Sequence, residues 1–96
     1  MLFLIRFTDR PNTLSLRNES LAAHLEWLAT HRDSIRLAGA LRAEEGGAPV
    51  GSCWIVEAPD RDRAKAMIET DPFWTVGMRE SAEILHFSPA AGGVLG

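Results

Sequence analysis

The sequence predicts an α+β domain with one four-stranded antiparallel sheet and two helices on one face of it. Three observations carry this expectation. Short apolar segments of strand length alternate with two segments of helical period, in the order strand, helix, strand, strand, helix, strand. The two middle strands are separated only by the turn Glu44-Glu45-Gly46-Gly47-Ala48-Pro49, so they pair as a hairpin. The chain has 96 residues, 46% hydrophobic and 24% charged, which suits a single globular domain with one modest core.

Each element has its own local reason. Residues 2–8 are apolar and rich in Phe and Ile, as in a buried strand, and Asp9-Arg10-Pro11-Asn12 is a turn cluster. Asn12 or Thr13 is positioned to cap a helix over 14–32. In that helix Leu21, Leu25 and Leu28 recur at helical spacing and define the expected buried face. Arg17, His24 and His31, seven apart, run along its edge. Residues 34–42 form the second strand, with Gly39 inside it, where a glycine marks a bulge or a close approach. Residues 51–58 form the third, with Cys53 and Ile55 on one face and Trp54 and Val56 on the other. Asp60 caps a second helix whose buried stripe is Ala64, Met67 and Ile68.

That helix stops at Asp71-Pro72. Proline lacks a donor and forces the preceding residue out of the α region. A short turn of helix then restarts with Asp71 as its N-cap and Pro72 at the first position, followed by Phe73 and Trp74. The carboxylate of Asp71 is thereby pinned in place. Residues 78–87 form the last strand. The order of elements is the split β-α-β arrangement of the ferredoxin-like fold, expected over 1–87, with a flexible tail over 88–96. Apolar residues occur on both faces of the strands while helices cover one, so a second copy is expected on the other.

Composition narrows the function. Net charge is −3 with both signs scattered, which argues against nucleic-acid binding. No apolar run is long enough for a membrane span, and the opening Met1–Ile5 run lacks the basic flank of a signal peptide. A single cysteine, Cys53, excludes an internal disulfide and fits a reducing cytoplasm. Three histidines and one cysteine without tight spacing give no metal site, and no cofactor is expected.

Three motifs resemble the YciI-like (YCII-related) family of small bacterial proteins. They are His24-Leu25-x-x-Leu28, Leu37-Ala38-Gly39, and Asp71-Pro72-Phe73 followed by Gly77. Arg17, seven residues before His24, also matches an arginine common in the family. Two positions depart from its pattern: Leu21 stands where a second arginine is frequent, and Ala40 where proline is. The resemblance implies a homodimeric α+β barrel and a His24–Asp71 active site. It also implies similarity to muconolactone isomerases, and one branch of the family removes chloride from a chlorinated hydroquinone. On this reading His24 and Asp71 are the acid–base pair of a cofactor-free isomerase, lyase or dehalogenase acting on a small organic acid or phenol. Arg17, Gly39, Phe73 and Trp74 are the expected substrate-binding residues. A module that binds a small ligand or a protein without turnover is the alternative.

Overall fold

The computed structural model describes residues 1–92. Its elements are β1 (Leu2–Asp9), α1 (Leu14–Thr30), β2 (Ile35–Arg42), β3 (Pro49–Glu57), α2 (Arg61–Thr70), α3 (Pro72–Thr75) and β4 (Arg79–His86). The four strands make one sheet in the order β2-β3-β1-β4, with every neighbouring pair antiparallel. This is the expected ferredoxin-like α+β topology. Residues 88–92 of the expected tail are neither helix nor strand, and 93–96 lie outside the described residues.

The pleat divides the sheet into two faces. Phe3, Ile5 and Phe7 of β1 are fully buried together with Trp54 and Val56 of β3. Trp27 of α1 and Ala64 and Ile68 of α2 join the same cluster, so the helices share one face. Burying each large apolar side chain contributes roughly 1.5–3 kcal/mol. The opposite face carries Leu4, Leu37, Ile55 and Leu85, which are cross-strand neighbours. Leu37 and Leu85 are largely exposed there.

The first helix differs from the expectation. Its buried residues are Arg17, Ser20, His24 and Trp27. Leu21 and Leu25, expected in the core, are exposed. The reason is that the polar stripe finds partners inside. Arg17 meets Asp9, His24 meets Asp71, and the indole of Trp27 donates to Thr70 at 3.0 Å. Buried polar groups are stable when so satisfied. At the start of α1, Thr13 sits at the cap position, but its hydroxyl donates backwards to the carbonyl of Arg10 instead of capping.

The Asp71-Pro72 break behaves as expected. Asp71 adopts φ −64° and ψ 126°, ending α2, and its carboxylate accepts from the N–H of Phe73 at 3.3 Å to start α3. Gly77 (φ 78°) then closes α3 in the left-handed conformation. The N–H groups of Gly77 and Met78 donate to the carbonyls of Trp74 and Phe73, the paired bonds of a Schellman motif. The chain is thereby turned directly into β4, whose first residue is Arg79.

Candidate active site

Four elements and the α2–α3 junction deliver buried polar side chains to one end of the helix-covered face. Asp71 is wholly buried, His24 of α1 is 6% exposed and Arg79 of β4 is 3% exposed. His24 Nδ1 lies 2.8 Å from Asp71 Oδ1, and Arg79 Nε donates to Asp71 Oδ2 at 2.7 Å. Each carboxylate oxygen is thus committed to a different partner. Arg79 also donates to Ser52 Oγ of β3 at 3.1 Å and lies 3.8 Å from Asp9 Oδ1. Asp9 in turn accepts from Arg17 of α1 at 2.7 Å. The result is a chain of groups, His24–Asp71–Arg79–Asp9–Arg17, with two carboxylates balancing two guanidinium groups.

The electrostatics follow from that balance. Burial pushes the Asp71 carboxyl up, but the hydrogen bond from His24 and the charge and hydrogen bond of Arg79 outweigh it. The carboxyl sits below the usual carboxylate range, so Asp71 is ionised at neutral pH. Burial holds Arg79 below the ordinary arginine value, against the opposing pull of Asp71 and Asp9. An arginine remains charged throughout the working pH range. Its guanidinium also lies 3.8 Å over the Phe7 ring, a favourable cation–π distance.

An ionised Asp71 accepts a hydrogen bond from Nδ1–H, which fixes the neutral imidazole as the Nδ1–H tautomer and leaves the lone pair on Nε2. Phe73 stacks on the imidazole with centroids 4.0 Å apart and planes 17° apart, holding the ring's orientation. Nε2 has no protein partner among the described residues and is not sealed from solvent. His24 lines a cavity of about 170 Å³ between α1 and β2. Arg17, Ser52, Trp54 and Phe73 border it too, with Leu21 and Leu25 at its α1 side. Among the described residues, the Arg17 nitrogens other than the one bound to Asp9 and Gly51 have no protein partner and are not sealed in. They are available to an anion. A base, a cation and two aromatic walls therefore converge on a space the size of one aromatic ring, since a cavity of roughly 150 Å³ accommodates benzene.

The expected site residues separate in this geometry. His24, Asp71, Arg17 and Phe73 come together. Trp74 does not; it borders a different depression with Ile68, Ala82 and Ile84. Gly39 touches the cavity through its backbone only. It pairs with Cys53, on the sheet face away from His24, and a Cβ built there meets nothing within 4 Å. The pairing shifts in β2 lie elsewhere, between Ile35 and Leu37 and between Leu41 and Arg42, so Gly39 marks no bulge. The close approach is instead at Gly51, where a Cβ would run into the Phe7 carbonyl oxygen.

Arg79, Asp9 and Ser52 were not expected. Asp9, read as part of a turn, is the last residue of β1. A period-two signal was present: Asp9 continues the inward series Phe3, Ile5, Phe7, and Ser52 continues Trp54 and Val56. A charged residue in the inward register of a core strand needs a partner of opposite charge. Among the described residues, no three His, Cys, Asp or Glu side chains are grouped as a metal site requires. Among the described residues, no helix is long and apolar enough to cross a membrane.

This fold and buried ionic relay define the chain as a small ferredoxin-like α+β protein with a histidine–carboxylate pair beside a ring-sized cavity. The YCII-related domain family matches residues 1–88, and the chain belongs to it. Among solved structures, 5-chloro-2-hydroxyhydroquinone dehydrochlorinase from Burkholderia phenoliruptrix AC1100, in complex with 2,5-dihydroxybenzoquinone, superposes with a TM-score of 0.84. The two are 32% identical over 92% of this chain and 94% of that one. A proposed antibiotic biosynthesis monooxygenase from Bacteriodes thetaiotaomicron VPI-5482 superposes at 0.58, with 21% identity over 98% of this chain and 92% of that one. That likeness is one of fold alone. Comparison with curated proteins finds no match.

Proposed function

We propose that this protein is a homodimeric acid–base enzyme that eliminates hydrogen halide from a halogenated, polyhydroxylated aromatic ring, with His24 as the base and Asp71 as its orienting carboxylate. One observation carries the reading: His24, whose Nδ1 is tied to a buried, ionised Asp71, lines a ring-sized cavity. The 32% identical dehydrochlorinase, whose named substrate is a chlorinated phenol, supports the choice of reaction.

The chemistry balances without an electron acceptor. Nε2 takes the proton of a ring hydroxyl, and the resulting oxyanion faces the free nitrogens of Arg17. The imidazolium, stabilised by Asp71, returns the proton to the ring carbon that bears the halogen, giving the keto tautomer. The hydroxyl across the ring then loses its proton as the halide departs. One proton and one halide leave, and the ring becomes a quinone. Phe73 and Trp54 hold the ring plane, and a positioned acid–base group of this kind contributes about 10²–10⁴-fold to the rate.

The dimer reading rests on the second sheet face. Leu4, Leu37, Ile55 and Leu85 form an apolar patch that a second copy would cover, and a stable interface buries about 1,600 Å² in total. The missing side chain of Gly39 lies on this face, so the glycine serves the interface more than the substrate. A lone cysteine supports a cytoplasmic setting. The test is halide release from a panel of single-ring chlorinated phenols and hydroquinones, followed by ion chromatography. Release from ortho- or para-dihydroxylated members is expected. Tight binding across the panel with no release would favour a ligand-binding module and contradict the enzyme reading.

A further inference from the structure

Ser52 is one polar group of the cavity to which nothing so far has given a role. It is 4% exposed, lines the same space as His24 and Arg17, and points to the helix-covered face with its strand neighbour Trp54. Its Oγ accepts from Arg79 at 3.1 Å. A serine hydroxyl has one hydrogen to give. With the oxygen engaged by a guanidinium, that hydrogen remains for another acceptor, and no described residue takes it.

We propose that Ser52 is a substrate-binding hydrogen-bond donor, whose hydroxyl is aimed by Arg79 at a ring oxygen that gains negative charge during reaction. The inference rests on the acid–base reading above and deepens it by defining the substrate's second oxygen contact. Arg79 is the shared support: one edge of its guanidinium holds Asp71, and through it His24, while NH1 holds Ser52. The base and the donor are therefore fixed relative to one another by one rigid planar group, and the guanidinium charge polarises the hydroxyl it touches. The site then reads a ring carrying at least two oxygens, one opposite Nε2 and Arg17 and one opposite Ser52. A ring with a single oxygen leaves one of these arms unpaired, which disfavours it.

The probe is 2,5-dihydroxybenzoquinone, a planar oxyanion titrated by its visible absorbance against the wild type, Ser52→Ala and His24→Gln. Ser52→Ala is expected to weaken binding about tenfold or more, the effect of losing a hydrogen bond to a charged group. Weakening in His24→Gln with none in Ser52→Ala overturns this proposal and leaves the acid–base reading standing. Failure of the wild type to bind overturns both. Because Ser52→Ala strands a buried Arg79 nitrogen and can lose its fold, a crystal of the wild type soaked in the probe gives an independent answer. Ser52 Oγ within about 3.2 Å of a probe oxygen supports the proposal. Only ring carbons within about 4 Å of that oxygen overturn it.

Discussion

Replacing Asp71 by asparagine is the perturbation whose consequences the structure specifies most closely. The substitution keeps the shape and an oxygen able to cap α3 at the Phe73 N–H. It removes one negative charge from a buried cluster in which Asp9 and Asp71 balance Arg17 and Arg79. Arg79, 3% exposed, then has only Asp9 at 3.8 Å as a counter-charge. Breaking a buried pair by removing one partner costs about 3–5 kcal/mol. For a domain near 100 residues, each kcal/mol moves the midpoint by roughly 4–8 °C. Asp71→Asn should therefore unfold about 12 °C or more below the wild type, measured by circular dichroism with a urea titration alongside. Asp60→Ala, which removes the exposed cap of α2 at Arg63, is the control and should cost about 1 kcal/mol.

The same pair of proteins has a pH signature. The folded Asp71 carboxyl lies below its ordinary value, so its stabilising contribution is complete above an unfolded value of about 3.9. That contribution disappears as pH falls through the lower folded value. The gap between wild type and Asp71→Asn should persist at pH 5 and narrow below about pH 4. A loss under about 1 kcal/mol at pH 7, or a gap that widens below about pH 4, would refute the view of Asp71 as the ionised hub of the cluster.

Other outcomes follow from named positions. Gly51→Ala should be severely destabilising, because its Cβ meets the Phe7 carbonyl, whereas Gly39→Ala should leave the monomer's stability nearly unchanged; thermal melts compare them. Leu85→Asp, on the open sheet face, should shift sedimentation from dimer to monomer at micromolar concentration, and a monomeric wild type would contradict the dimer. Trp74→Ala should lower stability without changing affinity for the quinone probe, because Trp74 borders a separate depression. Burial pushes the Cys53 thiol up despite the neighbouring Arg6, so alkylation at pH 7.5 should be slower than for a free thiol.

Much of this architecture is legible in the sequence. Element order and a short hairpin turn constrain the sheet, and right-handed crossovers place both helices on one face. Pro72 pins Asp71 at the end of α2, so the carboxylate had to lie near α1, and His24 is where it arrives. What escaped was the identity of the buried stripe. Leucine periodicity pointed to Leu21 and Leu25, yet the helix turns Arg17 and His24 inward because those groups have ionic partners that no pattern of apolar residues reveals. Arg79 was unreadable for a similar reason. Its burial depends on Asp9, Asp71 and Ser52 arriving from three other elements. Trp74 went astray because two adjacent residues in a single helical turn point about 100° apart, which sends Phe73 to the imidazole and Trp74 away from it.

On the proposed reading, His24 moves protons for a substrate in the adjoining cavity. The most direct measurement is chloride release from 5-chloro-2-hydroxyhydroquinone by the wild type and by His24→Gln, with both confirmed as folded by their thermal transitions. Release by the wild type is expected, with a fall of about 10²–10⁴-fold in kcat for His24→Gln. Release by His24→Gln at the wild-type rate would contradict it.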